Sequence, residues 1–127
     1  MKDYVGACLS GVCLLHCLLV PVLLALGGAG LVGAWLQADW VHYLLIAPIA
    51  LLVIWSLPLA RRKHHNGYPL LFGVIGLSVL LLSLFVTEST EPYVASVGSL
   101  SLIFAHLLNI YLLKTSTAMQ SVACKPS

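Results

Sequence analysis

Charge is what most constrains this chain: between Asp3 and Asp39 it carries no Asp, Glu, Lys or Arg, and the stretches 40–60, 64–87 and 92–113 are equally free of them. A helix rises about 1.5 Å per residue, so roughly 20 apolar residues cross the ~30 Å hydrocarbon core of a bilayer. Each stretch is long enough. The sequence therefore predicts an all-α membrane protein, a bundle of four transmembrane helices at about 5–26, 41–60, 69–87 and 93–113. Residues 1–114 form a single domain and 115–127 a polar, mobile tail. Composition agrees: 61% of the 127 residues are hydrophobic and 8% charged, too few charges to solvate a water-soluble surface. A disordered chain and a nucleic-acid binder are excluded on the same ground.

Orientation follows from the basic residues of the short connections. Arg61, Arg62 and Lys63 sit together after the second span, while Glu88 and Glu91 occupy the third connection without Lys or Arg. Positive-inside places the basic cluster, and with it both termini, in the cytoplasm of a multi-pass protein of the bacterial inner membrane. Lys2, Lys114 and Lys125 agree. Trp35, Trp40, Tyr43, Tyr68, Tyr93 and Tyr111 fall near the expected helix ends, as interfacial aromatics do. The first segment reads as a span rather than a removed signal, because Asp3 offsets Lys2 and the apolar run exceeds a signal core. Gly27, Gly28, Gly30 and Gly33 break that run and open the first connection.

The residues that spanning does not require carry the chemistry. Cys8, Cys13, His16 and Cys17 occupy ten consecutive positions, CLSGVCLLHC. At about 100° per residue Cys13, His16 and Cys17 share one helix face, with Cys8 two turns toward the start of the helix. Thiolate and imidazole select soft and borderline ions such as Hg(II), Cu(I), Zn(II) and Cd(II). Two thiolates that release their protons also cancel a divalent charge in a low-dielectric interior. A disulfide between Cys13 and Cys17 is disfavoured by the geometry of one helical turn. His106, with Asn109 at i+3, is expected at a depth comparable with His16 and Cys17. There it either completes the site or bonds helix to helix. Asp39 and His42, at the outer end of the second span, read as a solvated pair or, more sharply, as an ion-collecting mouth. His64 and His65 lie in the cytoplasmic connection. Pro21 removes the backbone partner of the Cys17 carbonyl. Gly6 with Ser10, and Ala95 with Ser99, are small-residue pairs that let helices approach closely.

Four spans of this size, with CLLHCLLVP in the first, WVH opening the second, a basic loop after it and AHLLN in the fourth, resemble the MerC-type mercuric-ion transport family. The resemblance covers nearly all of the four spans, and its most specific parts are Cys13, His16, Cys17 and Pro21, and His106 with Asn109. It implies an inner-membrane protein, not an enzyme, that binds Hg(II) through Cys13 and Cys17 and carries it to a cytoplasmic acceptor. No tightly bound cofactor is expected, only the metal itself. The imidazole beside the thiols adds Zn(II) as a variant cargo. The expected ligands are Cys13, His16, Cys17, Cys8 and His106, with Cys124 or His64 and His65 as the last station. The narrow interior of four helices fits a homodimer.

Three other classes compete. His16 and His106 at similar depth would suit the axial pair of a b-type haem, a thiol oxidoreductase would need its pairs at the membrane surface, and a non-catalytic subunit would use the cysteines only for packing.

Overall fold

The structure, a computed structural model, describes residues 2–26, 30, 39–87 and 89–123, with the backbone alone for Leu24, Asp39, His64 and 120–123. Four helices follow one another: α1 (Lys2–Ala25), α2 (Asp39–His64), α3 (Tyr68–Leu82), continued by a 3-10 turn over Ser83–Phe85, and α4 (Glu91–Ala123). All four hydrophobic stretches are long and apolar enough to cross a membrane. Among the described residues there is no strand.

The outer surface is what a bilayer requires. Leu15, Leu44, Ile54 and Trp55 are each about two-thirds exposed, and Phe85 more so. Such a surface would aggregate in water and is at ease in lipid. Trp40, Tyr43, Tyr68, Tyr93 and Tyr111 are exposed near the helix ends. Trp35, Gly27, Gly28, Gly33, Glu88 and Cys124 lie outside the described residues, as do the side chains of Asp39 and His64.

Helix α4 is the centre, packed along α3 on one side and along α1 on the other. Against α3 the backbones meet directly. A Cβ on Gly98 would stand 2.8 Å from the Leu80 nitrogen and 2.9 Å from the Gly76 carbonyl oxygen, so only glycine lets the two helices approach this far. The edge of Phe72 meets Phe104 at 5.0 Å, and Ser101 Oγ donates to the Phe72 carbonyl at 3.0 Å. Against α1 the seam is different. The buried positions of α1 are Asp3, Gly6, Ser10, Cys13, Cys17 and Val20, a strict 3-4 alternation that keeps one stripe against a partner helix.

The ends of the helices differ from the sequence expectation. Arg61–His64 continue α2 rather than forming a loop, because Arg and Lys are good helix formers and cations suit a helix C-terminus. The chain turns only at His65, with φ of 54°, and Asn66 Oδ1 accepts from the Tyr68 N–H at 3.0 Å to start α3. The span α3 closes at Leu82, short of the expected residue 87. In the described part of the expected tail, α4 runs on to Ala123. No Gly or Pro interrupts residues 115–123, so a helix already nucleated within the span propagates through them. Thr115 and Thr117 hydroxyls donate back to the Tyr111 and Leu113 carbonyls.

Candidate metal centre

Asp3 and Glu91 stand in the first turns of α1 and α4, where a carboxylate complements the helix dipole. Since α1 and α4 run antiparallel, the two acids mark opposite ends of one seam. Between them the side chains change from thiol to hydroxyl to imidazole.

At the Glu91 end, Cys13 and Cys17 are both buried and both free thiols, one turn apart on the stripe that faces α4. Their thiols are neighbours, and Ser99 of α4 lies opposite Cys13. The helix is unbroken through Pro21. Cys17 Sγ is 3.8 Å from His42 Nε2 of α2, and His42 Nδ1 is 3.4 Å from Glu91 Oε1. The His16 ring meets that of His42 edge-on, with centroids 5.2 Å apart. A carboxylate, an imidazole and two thiols thus follow one another from the bundle end inward, joining α4, α2 and α1. His42 and Glu91 are only partly buried, so this end is partly exposed while the thiols are not. Among the described residues no three His, Cys, Asp or Glu side chains converge closely enough to hold one ion together. The compact donor set is therefore the thiol pair, which suits the two-coordinate chemistry of a soft ion better than a tetrahedral one.

At the other end His106 is not where the sequence suggested. It packs on Gly6, where an added Cβ would lie 2.5 Å from its Cε1 and Nε2 atoms, and its Nδ1 is 3.2 Å from Asp3 Oδ1. Gly6 precedes His16 by ten residues, about 15 Å along a helix, so His106 shares no site with His16 and Cys17. One haem cannot take both histidines as axial ligands, and that alternative falls. The misplacement has a simple cause: depth counted along α4 from its expected start ignores the register in which α4 meets α1. Cys8 stands apart from the other two cysteines. It is exposed on the outer face of α1, away from the seam, because i−5 from Cys13 turns it out of the 3-4 stripe.

Asp3 is the functional candidate that sequence reasoning passed over. Its Oδ1 accepts from Ser56 Oγ at 2.9 Å, from Asn109 Nδ2 at 2.9 Å and from His106 Nδ1 at 3.2 Å, joining α1, α2 and α4 in one buried network. Asn109 could have signalled it, as a second polar residue one turn from His106 with no apolar task. The same end gathers every described Lys and Arg. Lys2 Nζ lies 5.4 Å over the Trp55 ring, Lys114 Nζ lies 5.8 Å over Tyr4, and Arg61–Lys63 close α2.

The profile of a family described as the MerC mercury resistance protein matches residues 3–111, which includes both ends of this seam. No curated protein and no solved structure matches the chain.

Proposed function

Since the chain belongs to the MerC mercury-resistance family, we propose that it carries Hg(II) across the bacterial inner membrane through Cys13 and Cys17. The observation that carries this reading is the pair of buried, adjacent free thiols reached from the bundle end through His42 and Glu91. Burial keeps water and competing hard cations from the thiols, and softness then selects the ion. As each Hg–S bond forms, the thiol gives up its proton, so a divalent ion held by two thiolates adds no net charge to the low-dielectric seam. His42 and Glu91 stand at the mouth: Glu91 fixes the imidazole through Nδ1, and Nε2 faces the Cys17 thiol, the arrangement by which a carboxylate orients a histidine toward a metal. The basic end is the cytoplasmic one by the positive-inside rule, and a cytoplasmic thiol acceptor takes the ion there.

The test is Hg(II) uptake into liposomes holding wild type or the Cys13→Ser/Cys17→Ser double variant at equal insertion. Wild type is expected to load the vesicles and the double variant to match empty liposomes. Equal uptake by both would overturn the reading.

A further inference from the structure

Below the thiols the α1–α4 seam remains polar without being satisfied. Elsewhere in the bundle hydroxyls bond to backbone carbonyls: Ser78 to Val74, Ser83 to Leu80, Ser96 to Pro92, Ser101 to Phe72. That is how a membrane helix hides a hydroxyl. On this seam Ser10 Oγ and His106 Nε2 are buried with no hydrogen-bond partner. A buried polar atom left unpaired is costly, and His106 is completely buried.

The imidazole is also held in one orientation. Its Nδ1 faces the Asp3 carboxylate at 3.2 Å, and the same oxygen is fixed by Ser56 and Asn109. With an acceptor-only partner at Nδ1, that nitrogen carries the hydrogen, and in the neutral imidazole the lone pair is then on Nε2. The face of the ring lies on Gly6, where the absence of a Cβ leaves the imidazole its room, and Nε2 is enclosed in the seam. A carboxylate behind one ring nitrogen and an unpartnered second nitrogen is the arrangement of a metal-ligating histidine and its supporting acid.

We propose that His106 Nε2 is a second binding site for the cation, separate from the thiol pair, with Asp3 as the residue that positions it. Gly6 and Cys13 are seven residues apart, so the site lies about 10 Å along the seam from the thiols, toward the basic end. An imidazole donor takes soft and borderline divalent ions; the choice of Hg(II) among them rests on the function proposed above. Ser10 and Ser99 line the stretch between the two sites. The chain thus offers the ion a strong thiol station and then a weaker nitrogen one, from which it leaves more readily.

The test uses a cysteine-free full-length protein in detergent (Cys8→Ser, Cys13→Ser, Cys17→Ser, Cys124→Ser), in which the transport thiols play no part. Histidine is labelled with 15N and the probe is Hg(II) alone. The His106 Nε2 resonance, assigned by its loss in His106→Gln, is expected to shift on titration. Asp3→Asn should weaken that shift's apparent affinity by about 10–100-fold, as loss of a supporting acid does. An Nε2 resonance that does not move at saturating Hg(II) would overturn the proposal, as would unchanged affinity in Asp3→Asn. Loss of thiol-dependent uptake in liposomes, by contrast, bears on the proposed function alone. Should His106→Gln fail to insert, the resonance is assigned instead through the shift that Asp3→Asn causes at Nδ1.

Discussion

The two faces of α4 are built from residues of similar size and to opposite ends. Toward α3 it offers Gly98, which lets backbone touch backbone, and around it apolar rings and methyls with the Ser101 hydroxyl bonded. Toward α1 it offers Ser99, His106 and Asn109, set against Cys13, Gly6 and Asp3. In lipid there is no hydrophobic gain from bringing helices together, so association relies on close packing and interhelical bonds. The α3 face meets that need by packing alone. The α1 face spends part of it on unsatisfied polar atoms, and a membrane protein retains such atoms where something passes or binds.

This contrast can be broken from either side. Gly98→Leu forces a branched side chain into the Leu80 and Gly76 backbones, and the expected outcome is loss of the folded bundle, read as failure to give a monodisperse peak in detergent. Gly98→Ala, a single added methyl, should cost about 1–3 kcal/mol of stability by overpacking, measured as a lowered unfolding midpoint. On the α1 side, His42→Ala removes the imidazole at the mouth but leaves both thiols. Uptake of Hg(II) should slow by about 10–100-fold while the stoichiometry of tight Hg(II) binding stays unchanged. Asp3→Asn keeps an oxygen for Ser56 and Asn109 but loses the charge; about 1–3 kcal/mol of stability should go with it, visible in thermal unfolding. Cys8→Ser lies on the outer face and should alter neither uptake nor stability; a large loss of uptake would put Cys8 back on the route.

What the sequence disclosed follows from how each feature is encoded. The four spans were legible because charge is excluded from the hydrocarbon core, and that signal is local. The ends of the spans were less so, since Arg61–His64 suit a helix terminus as well as a loop and nothing in 115–123 stops a helix. The thiol pair was legible because i and i+4 fix it within one helix. The partners of that pair were only half visible. His42 stood out as a histidine at a helix end, whereas Glu91 looked like any acid of a short connection until α4 brought it to 3.4 Å from His42. Asp3 and His106 are 103 residues apart and meet only through the register of α1 on α4. No periodicity within either helix encodes that register, and so Asp3 read as a boundary charge and His106 as a neighbour of His16.

The central claim is that one Hg(II) is held by the two seam thiols. X-ray absorption at the mercury edge, on the Cys8→Ser/Cys124→Ser protein loaded with one equivalent of Hg(II), tests it most directly. Two sulfur neighbours in a near-linear arrangement are predicted, because Cys13 and Cys17 are then the remaining thiols. A single sulfur, or a shell of nitrogen and oxygen alone, would contradict the account.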